Sequence, residues 1–262
     1  MAEAQAPQRQ IRVGKYNAEF YKKMAQYRGV NELLIFILDK INFGDIKTIL
    51  DIGAMDARQS VEFSEIFEDA KIYTFEATPE NYQKCLENVA KSENKDRIQV
   101  FDVAVSDKDE KIKFYPLSIE EMNKGGNMGI GSMFKLMPEE ERKIFPEQNW
   151  EQREIEVEGT RIDTWKEKNN IGPIDLVWMD VQGAELHALK GMGESLHNVK
   201  AILTEAGTKA YYEGHTLFPE IQAYLAQFGF VHLPESVHIY PNSHDYEVNV
   251  AFVNQNFMVR NL

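Results

Sequence analysis

The amino-acid sequence predicts an α/β protein built on one mostly parallel β-sheet. Short apolar segments rich in β-branched residues alternate with segments in which apolar residues recur at helical spacing. Two of the apolar segments, residues 48–52 and 174–179, lead into turns that contain glycine and lie beside an acid. Such runs are typical of parallel strands covered by helices on both faces. Because open parallel sheets bind ligands at the carboxyl ends of their strands, we expect the functional site there.

Length and composition indicate one acidic domain. The chain has 262 residues, 27% of them charged, with a formal net charge of -13. No stretch rich in proline, glycine or serine divides it, so we expect a single domain at residues 48–255 with a helical extension, residues 1–47, packed on it. Since no basic cluster offsets the negative charge, we expect no nucleic-acid partner.

Cysteine usage and hydropathy predict a cytoplasmic protein. Cys85 is the only cysteine, which excludes an intrachain disulfide and fits a reducing compartment. Residues 1–10 lack the apolar segment of a signal peptide, and the most apolar run, residues 33–41, is about half the length that spans a bilayer. We therefore expect no membrane insertion.

Two helices are predicted in the N-terminal extension. Residues 11–29 carry aromatic and methionine side chains at roughly helical spacing, and residues 32–41 form a second apolar helix. Both helices would cap the sheet or cover a ligand.

The first two strands predict a nucleotide site. The strand at residues 48–52 opens into a turn at Gly53, which we expect to let the backbone approach a ligand closely. The next strand, residues 71–75, ends in Glu76. An acid about 20 residues after the glycine turn accepts hydrogen bonds from ribose hydroxyls in dinucleotide-binding folds. The alternative is a strand-end turn with a surface glutamate.

The chain then continues with a helix and two more strands. Thr78 is the expected N-cap and Pro79 the first helical residue. Residues 98–105 read as a third strand and residues 111–115 as an edge strand. The apolar side chains expected on the buried face of the helix are Tyr82, Cys85, Leu86 and Val89.

Residues 116–152 interrupt the alternation of strands and helices. The segment has a glycine-rich stretch, residues 125–134, and four methionines. A loop of this length in a compact domain is functional or disordered, and thioethers suit adaptable apolar contacts. We expect either a substrate lid or a loosely packed surface excursion.

Acidic residues recur at the ends of the later strands. Residues 154–162 alternate like a strand, and residues 174–179 form a buried strand that ends at Asp180. Glu185 begins the following helix, and a strand at residues 200–204 ends at Glu205. With Asp51 of the first strand, Asp180 and Glu205 would meet at one rim of the sheet. The alternative for each acid is a helix cap or a turn.

The C-terminal part of the chain completes the sheet. His215 lies on a glycine-containing connection, and a helix opened by Pro219 and closed by Gly229 follows it. Residues 231–253 predict a final pair of strands with a polar loop at residues 242–245. Residues 246–253 would form an edge hairpin.

Four motifs together resemble the FkbM family of S-adenosylmethionine-dependent methyltransferases. They are LDIGA at residues 50–54, FEATP at 75–79, WMDVQGAE at 178–185 and YEGH at 212–215. The resemblance covers residues 48–252, and Asp-x-Gln-Gly-x-Glu is its most specific element. The sequence departs from the family after Gly53-Ala54, where Met55-Asp56-Ala57 replaces the usual Asn-x-Gly.

The resemblance implies the fold and the reaction. The fold would be the Rossmann-like class I methyltransferase fold, a seven-stranded, mostly parallel sheet with one antiparallel strand. The cofactor would be S-adenosyl-L-methionine. The reaction would be O-methylation of a hydroxyl on a sugar, glycan or related natural product, so the partner would be a small-molecule or glycan acceptor. The oligomeric state stays open.

The resemblance also implies roles for individual residues. The cofactor's amino-acid end would lie at Asp51, Gly53 and Ala54, its ribose at Glu76 and its adenine edge at Asp102 with Ala104. Asp180 would sit where the methyl group meets the acceptor and would belong to both sites. The other residues expected around the acceptor are the catalytic candidates Glu205 and His215 and the substrate contacts Glu185, Ser132 and Tyr212.

The base and the reaction class leave alternatives. Asp180 is the first candidate for the base and His215 the second, because a positioned carboxylate or imidazole can accept the acceptor's proton. Asp180, Glu185 and Glu205 are also hard oxygen ligands, but no spacing fixes a metal site and we expect none. A nicotinamide-dependent dehydrogenase would need a second glycine pair at the first turn. A catalytically silent adenosine-binding module is the other alternative.

Overall fold

The main sheet has seven strands in the order β3-β2-β1-β7-β8-β10-β9. The computed structural model describes residues 30–37, 40–126, 128–137, 139, 150–237 and 246–259. Strand β10 is antiparallel to both its neighbours, and the other strands of the sheet run parallel. The predicted seven-stranded sheet with one antiparallel strand is confirmed. Its strands are β1 (Thr48–Ile52), β2 (Lys71–Phe75), β3 (Ile98–Phe101), β7 (Leu176–Met179), β8 (Ala201–Gly207), β9 (Phe230–His232) and β10 (Glu247–Asn254).

The register of the central strands brings the predicted motifs together. Ile52 at the end of β1 lies opposite Phe75 of β2 on one side and Met179 of β7 on the other. The next residues along these three strands are Gly53, Glu76 and Asp180. These residues therefore emerge at the same edge of the sheet, where a parallel α/β sheet binds its ligand.

Helices cover both faces of the sheet. Ile49, Phe63 and Ile72 belong to the apolar core on one face, and Leu50, Val177 and Ile202 to the core on the other. This burial on both faces explains the continuous apolar runs of the central strands. The helices in the described residues are α1 (Val30–Ile37), α2 (Arg58–Ile66), α3 (Pro79–Lys91), α4 (Ile119–Asn123), α5 (Ile162–Lys168), α6 (Glu185–Met192) and α7 (Phe218–Ala226).

The second predicted N-terminal helix is present as α1. Leu33, Leu34 and Ile37 are buried in the same core as Ile49 of β1, and α1 packs on β10. The first predicted helix, residues 11–29, lies outside the described residues. The division of the chain at residue 47 stays a prediction.

A second, three-stranded sheet replaces part of the predicted third strand. Its order is β4-β6-β5, with β4 at Ala104–Val105, β5 at Lys111–Phe114 and β6 at Ile155–Thr160. The prediction of one strand over residues 98–105 is wrong, because the chain leaves the main sheet after Phe101 and re-pairs with β6. The sequence pattern does not reveal this change of sheet, since residues that favour strands continue across the break.

The predicted final pair of strands is confirmed as β9 and β10, but the prediction that residues 246–253 form an edge hairpin is wrong. Strand β10 lies between β8 and β9, so it is an interior strand, and β9 is the edge. The run Val250-Ala251-Phe252-Val253 is buried throughout, as expected for a strand covered on both faces. The predicted polar loop, residues 242–245, lies outside the described residues.

Helix α3 begins as predicted but presents a different face. Thr78 occupies the N-cap and Pro79 the first turn, although the Thr78 side chain makes no capping hydrogen bond. Cys85 is fully buried, whereas Leu86 is 39% exposed. The expectation that Leu86 packs in the core is therefore wrong, because the buried stripe runs through Asn81, Cys85 and Val89.

Within the described residues, no helix combines the length and the apolar character that crossing a bilayer requires.

Candidate active site

A cleft of about 640 Å³ opens at the carboxyl ends of β1, β2 and β7. This volume includes space that is open to solvent. The residues that line it are Ile52, Gly53, Met55, Phe75, Glu76, Ala77, Thr78, Asn81, Val103, Ala104, Val105, Ile112, Phe114, Met128, Gly129, Gly131, Met133, Asp180, Val181 and Ala184.

Glu76 supplies a buried carboxylate to this cleft. Its side chain is 6% exposed, and burial raises its pKa. Its Oε2 accepts a hydrogen bond from the Met55 N–H at 2.7 Å, and its Oε1 accepts one from the Thr78 N–H at 2.7 Å. The Thr78 side chain and the Ala77 N–H also favour the charged form, so the carboxylate is held in place in the lining of the cleft. Glu76 is therefore equipped for the predicted ribose contact.

The first turn packs against β7 through Gly53. Gly53 has a φ of 83°, and a Cβ at this position would lie 1.8 Å from the Asp180 carbonyl oxygen. The absence of a side chain at Gly53 thus allows the first turn to pack directly on the backbone of Asp180. The sequence analysis expected the glycine to serve a ligand. Met55 and Ala57 adopt left-handed conformations with φ of 54° and 59°, which is uncommon for residues other than glycine.

Asp51 points away from the cleft. Its side chain is fully buried, and its Oδ2 accepts a hydrogen bond from Ser60 Oγ at 2.5 Å. Burial raises its pKa to about 7, with the Ser60 hydrogen bond opposing the shift. Asp51 therefore does not join Asp180 and Glu205 at the rim of the cleft. It lies beneath the first turn instead.

One wall of the cleft is apolar. Ala104 lines it as predicted for the adenine edge, together with Val103, Ile112 and Phe114. Asp102 is exposed and does not line the cleft. An apolar slot of this kind suits the flat face of an aromatic base.

The glycine-rich part of the inserted segment covers the cleft. Met128 and Gly131 line it beside Thr78. The Met128 carbonyl accepts a hydrogen bond from Asn81 Nδ2 at 2.9 Å. Ser132, a predicted substrate contact, is fully buried and donates from its Oγ to the Gln182 carbonyl at 2.7 Å. We call residues 128–134 the covering loop. It lines the same cleft as Glu76. The predicted lid would therefore cover the expected ribose site as well as the acceptor site.

Asp180 and Glu205 form a carboxyl pair at the other end of the cleft. Gln182 Nε2 donates to Asp180 Oδ1 at 2.8 Å and to Glu205 Oε2 at 2.9 Å. Burial raises the pKa of both carboxyls, and that of Glu205 is raised further by the charge of Asp180. A shared proton therefore resides on Glu205, which leaves Asp180 as the ionised member.

Two more buried carboxyls act on this pair. Glu185, the first residue of α6, accepts N–H bonds on its Oε1 from Val181 at 3.3 Å and Gly183 at 3.2 Å. Its Oε2 has no hydrogen-bond partner among the described residues. Burial raises the pKa of Glu185 and that of Glu247 to about 8. Glu247 lies on β10 and has no counterpart in the predicted site.

His215 is a poor candidate for the base. Burial lowers its pKa to about 4, and its Nδ1 accepts a hydrogen bond from the Tyr211 N–H at 3.4 Å. Its ring packs against Gly183 and Gly207, where an added Cβ would collide with it. His215 therefore fills space behind the turn that carries the carboxyl pair.

Tyr212, a predicted substrate contact, binds protein groups instead. Its side chain is 1% exposed. Its hydroxyl lies 2.9 Å from Gln182 Oε1 and 3.1 Å from the Ile130 carbonyl oxygen. Tyr212 thus links the second motif turn to the covering loop.

Comparison with known proteins decides the family. The model of the methyltransferase FkbM domain matches residues 51–231, which is more than half of the chain. The chain belongs to the FkbM methyltransferase family. It is therefore a methyltransferase, and its cofactor is S-adenosylmethionine. Membership of this family excludes the alternative of a nicotinamide-dependent dehydrogenase.

Individual relatives of this FkbM methyltransferase include characterised and solved proteins. The 2-O-methyltransferase NoeI of Sinorhizobium fredii (strain NBRC 101917 / NGR234) is 30% identical over 216 residues, which are 82% of this chain and 84% of NoeI. The solved methyltransferase FkbM of Methylobacillus flagellatus KT shares 11% identity with a TM-score of 0.49. That match covers 89% of this chain and 57% of the solved chain, little more than half its length. M. capricolum TrmK, solved with S-adenosyl-homocysteine, has 13% identity, a TM-score of 0.44 and coverage of 94% and 72%.

Some residues of the FkbM site escaped the sequence predictions. Gln182 lies inside the most specific motif, yet the motif alone gives it no role. Glu247 follows the predicted polar loop in the chain and carries no local signal at all, because only the insertion of β10 beside β8 brings it to the carboxyl pair. The cleft residues of β5, Ile112 and Phe114, were missed because their position depends on the second sheet.

Proposed function

We propose that this protein transfers a methyl group to a hydroxyl of a sugar, a glycan or a related natural product. The observation that carries the proposal is the Asp180 carboxylate, which lines the cofactor cleft and is paired with Glu205. An ionised carboxylate at this place can accept the proton of an alcohol, whereas a neutral amine acceptor has a lone pair available without a base.

The relatives support transfer to oxygen. NoeI is by its name a 2-O-methyltransferase, and this chain spans 84% of its length. Sugars, glycans and polyketides are the usual acceptors of the family that the motifs resemble. We propose a small-molecule or glycan acceptor, no nucleic acid, and a cytoplasmic reaction, in keeping with the net charge of -13 and the single buried cysteine.

The residues of the cleft fit the cofactor. Glu76 would bind the ribose hydroxyls, the apolar wall at Val103 and Phe114 would face the adenine, and the first turn at Gly53 would face the amino-acid end. When bound, S-adenosylmethionine supplies a methyl group on a positively charged sulfur. The carboxylates of Glu76 and Asp180 match this positive charge.

Asp180 would hold the acceptor hydroxyl and accept its proton as the oxygen takes up the methyl group that the bound cofactor would supply. Alignment of the reacting atoms can contribute on the order of 7–11 kcal/mol, and a positioned base about 10²–10⁴-fold in rate. Among the described residues, no group of three or more His, Cys, Asp or Glu is arranged to hold a metal ion. We propose that the base works without a metal.

The test is methyl transfer from labelled S-adenosylmethionine to a panel of sugar and glycan acceptors, with product analysis to locate the methyl group. Asp180→Asn keeps the shape of the side chain and removes the base, so we expect turnover to fall about a hundredfold or more. Cofactor affinity should change far less. Chelator treatment should leave turnover unchanged. Transfer only to amines, or full activity of Asp180→Asn, would refute the proposal.

A further inference from the structure

Gln182 occupies the centre of the carboxyl pair. It lies in the turn between β7 and α6 with a left-handed φ of 52°. Its side-chain nitrogen is 2.8 Å from Asp180 Oδ1 and 2.9 Å from Glu205 Oε2. A primary amide has two N–H donors, so each carboxyl of the pair receives one of them.

The orientation of this amide is fixed by Tyr212. The Tyr212 hydroxyl lies 2.9 Å from Gln182 Oε1 and donates to it. If the amide were reversed, its oxygen would face two carboxyls and its nitrogen would face a hydroxyl. Because an amide oxygen and the ionised Asp180 carboxylate are both acceptors, the reversed arrangement would leave Asp180 without this donor and is disfavoured. Tyr212 therefore keeps both N–H groups on the carboxyl pair.

The backbone of Gln182 also contacts the covering loop. Its carbonyl oxygen accepts the hydrogen bond from Ser132 Oγ at 2.7 Å. The Tyr212 hydroxyl, which has one hydrogen to donate, also lies 3.1 Å from the Ile130 carbonyl oxygen. Ser132 of the loop thus holds the Gln182 backbone, and Tyr212 holds its side-chain amide. The side-chain N–H groups of Gln182 donate to Asp180 and Glu205.

We propose that Gln182 is a positioning residue for methyl transfer, which holds the Asp180 carboxylate in place and keeps it ionised through the N–H bond to Oδ1. The inference rests on the proposed function, in which Asp180 is the base. Gln182 acts through Asp180 and does not touch the acceptor.

The electrostatic surroundings explain why such a donor is needed. The titratable groups that act on Asp180 are Glu205 on β8, Glu185 on α6 and Glu247 on β10, and all are acidic. Burial favours the protonated form of Asp180, whereas the hydrogen bonds with Gln182 and Glu205 lower its pKa. Loss of the Gln182 bond should therefore raise the pKa of Asp180 and reduce the fraction that can act as a base.

The test compares Gln182→Met with Gln152→Met. Methionine has a similar length, lacks the amide, and already occupies a left-handed conformation in this chain at Met55. Gln152 is a matched control, because its Oε1 accepts from the Leu136 N–H at 2.8 Å and its Nε2 donates to the Tyr115 carbonyl at 2.7 Å. These two bonds lie within residues 115–152, so Gln152→Met leaves the hydrogen bonds of Asp180 and Glu205 in place.

The readouts are the pH profile of kcat/KM and the cofactor Kd from titration calorimetry. For Gln182→Met we expect the acidic limb of the profile to move up by about one pH unit, so that activity falls by up to about tenfold on that limb and returns to within about threefold of the parent at pH 9. The cofactor Kd should stay within about twofold.

Tyr212→Phe tests the same amide from its other side. This variant should shift the acidic limb of the pH profile in the same direction by less. The double variant Gln182→Met/Tyr212→Phe should shift it no further than Gln182→Met alone, because both substitutions act through one amide.

Two results would overturn the inference. One is an equal loss of activity at all pH values in Gln182→Met, and the other is the same shift in Gln152→Met, since either would mean that Gln182 only anchors the loop. If Gln182→Met does not fold, Tyr212→Phe decides the question alone.

Asp180→Asn separates the two proposals. Full activity of Asp180→Asn refutes the proposed function. Loss of activity in Asp180→Asn, together with an unshifted pH profile in Gln182→Met, refutes only the role of Gln182.

Discussion

Two acids that the sequence assigns to the cofactor have different surroundings in the folded protein. Glu76 lines the cleft, whereas Asp51 is buried against Ser60 beneath the first turn. Sequence spacing cannot separate these two roles, because both acids lie at the ends of neighbouring parallel strands. The direction of each side chain follows from its position in the pleat and from what the next helix places beside it.

Glu76 should control cofactor affinity, and Asp51 should control stability. Glu76→Ala removes charge-assisted hydrogen bonds worth roughly 1.5–3 kcal/mol, so the cofactor Kd should rise about tenfold or more. Asp51→Asn should lower the free energy of unfolding with a smaller change in Kd. Titration calorimetry and urea unfolding of both variants measure these effects. A larger rise in Kd for Asp51→Asn than for Glu76→Ala would contradict the assignment.

At the scale of elements, the sequence predicted the strands and helices of the main sheet well. Continuous apolar runs identified β1, β2, β7 and β8, because a strand covered on both faces needs no polar face. The pattern could not show that residues 98–105 divide between two sheets or that β10 enters the interior, since strand order depends on pairing between distant segments. The same limit applied to the site, where Gln182 and Glu247 gain their roles only through such pairing.

The covering loop should affect the cofactor as well as the acceptor. A Cβ on Gly131 would lie 2.8 Å from Thr78 Oγ1 and 3.0 Å from a ring carbon of Phe114, and both side chains are buried. Gly131→Ala should therefore displace the loop from the cleft and weaken cofactor binding about tenfold, in line with the cost of overpacking.

The matched control for this prediction is Gly125→Ala. Gly125 lies in the same inserted segment, and a Cβ there would meet nothing within 4 Å. Its φ of 85° makes alanine locally unfavourable, but the cofactor Kd should stay within about twofold. Unchanged cofactor affinity in Gly131→Ala, with a raised KM for the acceptor, would show instead that the loop serves only the acceptor.

At the scale of the whole molecule, the buried carboxyls make stability depend on pH. Burial raises the pKa of Asp51 to about 7 and those of Glu185 and Glu247 to about 8. Between pH 6.5 and 8 the folded protein binds protons that the unfolded chain has already released, so the free energy of unfolding decreases as pH rises. The decrease ends once the folded carboxyls are ionised.

We expect these three carboxyls to lower the free energy of unfolding by roughly 4–5 kcal/mol between pH 6.5 and 8.5. His215 does not contribute in this range, because its lowered pKa matters only below its ordinary value near 6.5. Urea unfolding across the range measures the slope, and Glu185→Gln should make the slope shallower. A midpoint that stays constant or rises with pH would show that these carboxyls are ionised in the folded protein.

The interior position of β10 bears on how the protein is made. A ribosome delivers the chain from its N-terminus, and domains fold as their segments emerge. Until Glu247–Asn254 is synthesised, β8 and β9 have no strand between them, and their exposed edges can pair with other nascent chains. The acid Glu247 also arrives at the carboxyl pair only with this strand. Completion of the sheet and completion of the active site are therefore one late event in the life of each molecule, and a chaperone that shields the gap beside β8 would protect both.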